Sequence, residues 1–362
     1  IFRQDAVLNE TDHAVLRILV KFPWHVPDFP IYSNRTKPGA LHKPHLSFAK
    51  QLDLLESRGV ALVDRARHVS DLKYYGYYRL SAYFYPFRRL VPQEECSSPF
   101  SFRGDEFLDE VQFDDAVNLA KFDSRLRRTA FEGLEHIEVA LRTRVAYHAG
   151  RVDPFIHLTR SALDEKECSK LVGEEQSQAY VEWERKYETL CLQAKSEDFI
   201  KHFNSKYGDC LPIWIAVEVM DFGGLVRLFG LLPPKTRSAI AKEFGVSNGN
   251  VLKSWVICLN YMRNKVAHHS RLWNRTMTYA LRTPDTAQVD QPLHHLAAEK
   301  RNLNTVYDYL AIVTYLLSKV DRDLMWHRRV KETMKKSPKV PHLSLEEEMG
   351  FPSNWQQLSL WT

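Results

Sequence analysis

The sequence predicts an all-α protein, and three observations carry the prediction. Apolar residues recur at three- and four-residue spacing over long stretches, notably 114–148, 250–266 and 303–334. The first of these stretches contains no proline. No strong strand-like alternation and no internal repeat interrupts the pattern.

The elements follow in chain order. Residues 1–42 are irregular and dotted with Pro23, Pro27, Pro30 and Pro38, which reads as an N-terminal arm; within it only Asp12 to Lys21 has helical character. A helix is expected from Ser47, an N-cap, to Arg58, stopped by Gly59, and another from Asp64 to Tyr75. An aromatic run follows, from Tyr74, Tyr75, Tyr77 and Tyr78 to Tyr83, Phe84, Tyr85 and Phe87, interleaved with Lys73, Arg79, Arg88 and Arg89. Such rings chiefly pack a core with hydroxyls reaching outward. Among arginines they can also stack on unpaired bases.

Residues 92–112 read as a loop. Asp114 to His148 then reads as one helix of ~50 Å, long enough to be the spine of a bundle. On it Glu138 lies four residues before Arg142, the favourable order for a helix pair. Lys121, Arg125, Arg127 and Arg128 cluster upstream, as a solvated face or an RNA track. Helices are expected around 178–194 and 198–206. Leu211 to Phe222 is apolar and helical, opened by Pro212 and interrupted by Gly223-Gly224. Residues 276–300 read as a loop; its pair His294-His295 has no third ligand and is weak evidence for metal. Leu303 to Met334 reads as the last long helix. Its basic end (Arg322, Arg328, Arg329, Lys331, Lys335, Lys336, Lys339) suits the helix dipole and also offers phosphate contacts. The tail after Pro338, with Glu346-Glu347-Glu348, is expected to be partly ordered at best. Four regions result: an arm (1–42), an aromatic-rich helical region (43–112), the main helical bundle (113–339) and a tail (340–362).

Composition narrows the function. The apolar fraction of 44% and charged fraction of 26% are those of an ordinary globular protein. A net charge of +5 is too mild to establish a nucleic-acid partner, so local clusters carry more weight. Cys96, Cys168, Cys191, Cys210 and Cys258 are scattered, odd in number and without a C-x-x-C pair. That argues for reduced thiols in a cytoplasm and against a zinc module or a disulfide framework. No apolar run reaches membrane-spanning length, and the start Ile1-Phe2-Arg3 has no look of a secretion signal. P-loop, serine-esterase and zinc-protease motifs are absent. No metal and no cofactor are expected.

The chemistry concentrates in the thirteen residues from Arg263 to Arg275, RNKVAHHSRLWNR. Arginine is a permanent cation whose planar fork fits phosphate. Histidine takes or gives a proton near neutral pH, and an asparagine can hold either in place. Arg263, Asn264 and His268 together can cut RNA without a metal, the 2′-hydroxyl acting as nucleophile. Leu252, Trp255, Val256, Leu259, Met262 and Val266 form the apolar stripe of one helix that runs from about Asn250 into the motif. Asn264, His268 and Arg271 form a second stripe, roughly opposite. His269 turns back toward the apolar side and reads as packing or local hydrogen bonding. On one straight helix Arg263 points ~140° away from His268. The pair can serve one phosphate only if the arginine bends round, the helix distorts, or two copies of the motif meet across a two-fold axis; the last brings identical patches together and favours a composite site in a homodimer.

The same string closely resembles the hallmark of the Abi-like family, the AbiD/AbiF group of bacterial abortive-infection proteins. Other segments agree in the family's order. They are Lys43-Pro44-His45-Leu46-Ser47-Phe48 with Gln51 and Leu54-Leu55, Tyr77-Tyr78-Arg79-Leu80-Ser81-Ala82-Tyr83, Phe122 to Arg128 running to Glu135-His136-Ile137-Glu138-Val139-Ala140-Leu141-Arg142, and Leu211-Pro212-Ile213-Trp214 with Glu218. The resemblance covers about 43–330. It implies a HEPN-like helical bundle with an N-terminal helical extension, because the family is grouped with HEPN ribonuclease modules whose signature is R-x4-6-H. Arg263 and His268 match that signature, and Asn264 matches the polar residue that often follows the arginine. It also implies phage defence by abortive infection, with RNA as substrate and an RNA or protein partner restraining the toxic activity. Arg271 and Arg275 are candidates for positioning substrate, with Arg79, Arg125 and Arg128 as further phosphate contacts.

A rival from another class lies at 236–256, TRSAIAKEFGVSNGNVLKSWV, which looks like a helix-turn-helix with Gly245 at the turn. A DNA reader would use residues 247–254. That segment carries no arginine and flows into the Arg263 motif, so it reads as a helix junction inside the bundle. A non-catalytic nucleic-acid-binding regulator and a protein-interaction scaffold remain the alternatives to an endoribonuclease.

Overall fold

The computed structural model describes residues 45–92, 103–173, 176–298, 301–321 and 323–362. The expected N-terminal arm and Arg322 lie outside the described residues. The fold is all-α, with two small two-stranded sheets among the described residues. Contacts divide the chain into two compact units, one holding 45–124 and 336–344, the other 125–335 and 345–362. The division falls after residue 124, inside a helix.

In the first unit, α1 (Phe48–Ser57) starts where the Ser47 hydroxyl accepts from the Lys50 N–H at 3.3 Å, and it buries Leu52 and Leu55. Gly59 ends it with φ 101°, a conformation that favours glycine. α2 (Arg65–Tyr75) is capped by the Asp64 carboxylate, 3.0 Å from the Arg67 N–H. α3 (Tyr77–Phe84) follows directly. The stretch expected to be loop contains a strand: β1 (Arg88–Leu90) pairs antiparallel with β2 (Arg103–Phe107). Strands of three and five residues are too short to show an alternation. The aromatic run divides. Tyr83, Phe84 and Phe87 pack the core, and the Tyr83 hydroxyl donates to buried Asp123 at 2.7 Å. Tyr74 and Tyr78 face solvent.

α4 (Phe113–Gly150) is the expected long helix. Its part in the second unit packs through Gly133, where a Cβ would sit 2.7 Å from Trp326 and 2.8 Å from Val313. Beyond it come the hairpin β3 (Leu171–Val172) and β4 (Ser177–Gln178), then α5 (Ala179–Gln193) and α6 (Asp198–Tyr207). α7 (Ile213–Val219) is shorter than expected, because a new helix, α8 (Phe222–Leu231), begins at the pair Gly223-Gly224. The Asp221 carboxylate caps α8, accepting from the Gly224 N–H at 2.7 Å. Glycines in a capped first turn are cheap, so they open this helix instead of interrupting it.

α9 (Pro234–Glu243), a turn at Gly245 with φ 70°, and α10 (Gly249–Ala267) form the helix-turn-helix shape. The second helix buries Val251, Leu252, Trp255, Val256, Cys258 and Leu259 on its apolar face, and Lys253 pairs with Glu167 at 2.6 Å. α11 (Val306–Val320) is buried along most of its length, as expected of a helix that is apolar all round. Buried Asp308 accepts from Arg301 at 2.8 Å and 2.9 Å and closes a capping box with Thr305. The long helix expected over 303–334 is two helices. Asp321 Oδ1 accepts from the N–H groups of Asp323 and Leu324, Met325 takes φ 48°, and α12 (Trp326–Lys335) starts afresh. The tail after 344 is packed rather than loose: Met349, Trp355 and Trp361 are buried, and Trp361 Nε1 donates to the Tyr307 hydroxyl at 3.3 Å. The histidine pair is accounted for locally. His294 Nε2 lies 3.1 Å from the Val289 carbonyl, and His295 Nε2 lies 2.8 Å from the Tyr307 hydroxyl.

One buried histidine makes stability depend on pH. His157 lies in a turn after α4, 3.3 Å from the Tyr187 hydroxyl, and burial pushes it down from 6.5 to about 4. The unfolded chain takes up this proton near 6.5, whereas the folded chain refuses it until about 4. The stabilisation is therefore complete above that window and is lost as pH falls through it, by about 3 kcal/mol in all. The urea midpoint of wild type should fall relative to that of His157→Leu as pH drops from neutral toward the lower end of the window. A midpoint difference that stays constant would rule this out.

Candidate active site

α10 sets the geometry of the Arg263 motif. The Asn248 side chain caps its start, accepting from the Asn250 N–H at 2.9 Å. The apolar stripe is buried as the spacing predicts, from Leu252 through Met262 to Val266. The helix runs unbroken to Ala267, and His268 is its C-cap, its N–H donating to the Asn264 carbonyl at 3.0 Å. His269 then takes φ 55°. Its N–H donates to Val266 and that of Ser270 to Lys265, the paired bonds of a Schellman ending.

This ending corrects two expectations. Arg271 does not continue a helical stripe with Asn264 and His268, because the helix has stopped four residues earlier. His269 does not turn back to the apolar side; it is exposed at the left-handed position. The next residues return to the core, with Leu272 and Trp273 fully buried. The Arg275 side chain folds back, its Nε donating to the Arg271 carbonyl at 2.8 Å, so it also has a structural task.

Arg263 and His268 occupy different settings. The Arg263 side chain is 31% exposed, and its Nε lies 3.7 Å from Oε2 of Glu138 on α4. That is within ion-pair range but beyond hydrogen-bonding distance, and this buried Nε has no hydrogen-bond acceptor. Glu138 is the centre of the surroundings. Its Oε1 accepts from Arg142 at 2.9 Å, and Arg142 also donates to the carbonyls of Val217 and, at 3.0 Å, Met220. Burial raises the Glu138 carboxyl above the usual range; Arg263 and Arg142 draw it back, and Asp221 opposes them. Asp221 in turn pairs with Lys186 at 2.7 Å. Asn260, one turn before Arg263 and Asn264, is buried; its amide lies 3.6 Å from where a Cβ on Gly223 would stand. His268, by contrast, is exposed at the end of the helix.

The structure thus brings Arg263, Glu138 and Arg142 together, and it holds Asn264 and His268 on the last turn of the same helix. Arg125 and Arg128 lie on α4, Arg128 ~15 Å along the axis from Glu138. Arg79 lies on α3 of the first unit. Helical spacing shows Glu138 only as a helix pair with Arg142, not as the partner of Arg263. The signal present was a carboxylate with one oxygen to spare; which helix would face it is not written in either local pattern.

The arrangement provides a restrained cation, a neighbouring amide and a surface histidine, the components of phosphate chemistry. No described helix is long and apolar enough to cross a membrane. The four described cysteines form no disulfide, and Cys96 lies outside the described residues. The chain matches no curated protein and no solved structure. The sequence model of Abi-like proteins matches residues 70–274, more than half of the chain. The match takes in Glu138, Arg142, Arg263, Asn264, His268 and Arg271, and it stops one residue before Arg275. Because that match spans more than half of the chain, the chain belongs to the Abi-like protein family.

Proposed function

We propose that this chain is a metal-independent endoribonuclease of the HEPN type that acts in abortive infection. Family membership supports the role in phage defence. The observation that carries the chemistry is the last turn of α10: a half-buried Arg263 beside Glu138, then His268 at a defined helix end. The 2′-oxygen of a ribose attacks the adjacent phosphorus while its proton passes to a base. The bond from phosphorus to the 5′-oxygen breaks, and that oxygen receives a proton. The products are a 2′,3′-cyclic phosphate and a 5′-hydroxyl.

His268 serves as the base or as the acid in this scheme, and two copies in a dimer can divide the roles. Arg263 stabilises the extra charge on the phosphorane-like transition state. Glu138 positions Arg263, and Asn264 orients the histidine or a phosphate oxygen. Arg271, Arg125 and Arg128 contact the substrate backbone. Reduced cysteines suit a cytoplasmic site of action, and a toxic nuclease there needs a restraining RNA or protein partner. The alternative of a DNA-reading regulator at 236–256 has less support, because residues 247–254 carry no arginine and Lys253 pairs with Glu167.

Cleavage of total RNA by the purified chain is expected to persist in excess EDTA and to leave 2′,3′-cyclic phosphate ends. Activity that vanishes with chelator and returns with magnesium, or products with a 5′-phosphate, would overturn the mechanism. Binding of RNA with no cleavage would favour the regulator; absence of any nucleic-acid affinity would leave the scaffold.

A further inference from the structure

The corner between α2 and α3 carries an aromatic surface that the cleavage chemistry does not use. Tyr74 is 81% exposed and Tyr78 60% exposed, whereas most large apolar rings of this unit are buried or half-buried. The neighbour of each ring in sequence is an exposed cation: Lys73 beside Tyr74, Arg79 beside Tyr78. Single exposed tyrosines are ordinary. Two of them, four residues apart around a fixed corner with a cation each, ask for a reason.

We propose that this corner is a stacking platform for the bases of single-stranded RNA. The corner is rigid. Gly76 takes φ 78°, which ends α2 and starts α3 in one step. Tyr74 meets half-buried Tyr75 edge-on, with ring centroids 4.7 Å apart, so its ring is braced. The corner is also open: a Cβ on Gly76 would meet nothing within 4 Å.

Charge selects RNA over an apolar partner. Arg58, Arg65, Arg67, Arg88 and Arg89 of this unit each pair with a carboxylate of the same unit. Lys73 pairs with no described carboxylate. Arg79 sits close enough to Tyr75 to lower its hydroxyl, against the upward effects of burial, Tyr74 and Asp71. Asp71 is the acidic group at the corner, and it is half-buried. Stacking supplies sequence-tolerant affinity, and the two cations supply phosphate contacts. The platform does not depend on the chain's cutting RNA, since a binding-only protein would use it equally.

The test is fluorescence anisotropy of a labelled short oligouridylate with the full chain carrying His268→Ala, which prevents loss of the probe. Adding Tyr74→Ala and Tyr78→Ala is expected to weaken binding by about tenfold or more per ring. The corresponding Tyr→Phe pair should stay within about threefold, because the ring and not the hydroxyl carries stacking. Lys73→Gln with Arg79→Gln should reduce the steepness of the salt dependence by about one and a half units in the log–log slope. An RNA duplex should not sense the tyrosine pair. Oligouridylate affinity unchanged by the alanine pair overturns the platform, and is also the result a protein-docking face would give. Equal losses from phenylalanine and alanine, or no oligouridylate binding by the parent chain, overturn it too. If cleavage fails while ring-dependent binding holds, the nuclease reading falls and the platform stands; the reverse pattern sinks the platform alone.

Discussion

Arg263→Ala and His268→Ala are each expected to abolish detectable RNA cleavage and relieve toxicity to the host, with rate losses of about 10²–10³-fold or more. The two substitutions act differently on the fold. His268 is exposed and its helix ending is held by backbone bonds, so its removal should leave stability within about 0.5 kcal/mol. Arg263 is half-buried beside Glu138, and its loss leaves a carboxylate that burial already disfavours as an anion. Arg142 still holds that carboxylate at 2.9 Å, so the protein should fold, at a modest cost. Arg263→Lys is the informative companion: it keeps the charge but loses the planar fork, and should also be inactive. His269→Ala should matter less. If His269→Ala kills activity while His268→Ala does not, the assignment of the histidine is wrong.

Mixing an Arg263→Ala subunit with a His268→Ala subunit is expected to restore about one working site per dimer. Five helical steps separate the two residues, which places them ~140° apart around α10. The helix offers no kink to close that angle, since it is continuous to Ala267 and His268 still donates to Asn264. Arg263 is turned to Glu138, while His268 is at the exposed end. A second copy related by a two-fold axis can bring the complementary residue to the same phosphate. Recovery in the mixture, measured by RNA cleavage after co-refolding, would establish a site made of Arg263 from one chain and His268 from the other. No recovery would mean that both residues come from one chain or that both copies of each are needed. A strict monomer that cleaves at full rate would refute the composite site.

Most of the helical order was legible because the core writes itself into the sequence as periodicity. The stripe Leu252 to Val266 predicted α10 and its buried face, and Ser47, Asp64 and Gly59 marked helix ends through side-chain caps and a left-handed turn. Illegible were breaks set by a few hydrogen bonds. Asp321 splits the last helical pattern by binding two backbone N–H groups, while the apolar spacing continues across the break. Gly223-Gly224 read as an interruption, yet the Asp221 carboxylate caps the helix they open. The tail read as loose from its glutamates, but its tryptophans find a pocket formed by residues far away in the chain.

For the site, the sequence by itself determined the reactive set: an arginine, an amide and a histidine on one helix, at a spacing that local backbone geometry fixes. It also determined that Arg263 and His268 cannot face the same way on that helix, since the angle follows from helical pitch alone. Only the tertiary structure decided where the helix stops, because His269 must adopt a left-handed conformation that its residue type does not announce. Only it decided that the oxygen of Glu138 left over from Arg142 is turned to Arg263. Periodicity reports which face of a helix is buried; which charged groups from distant segments meet there depends on how the helices pack, and no local pattern records that.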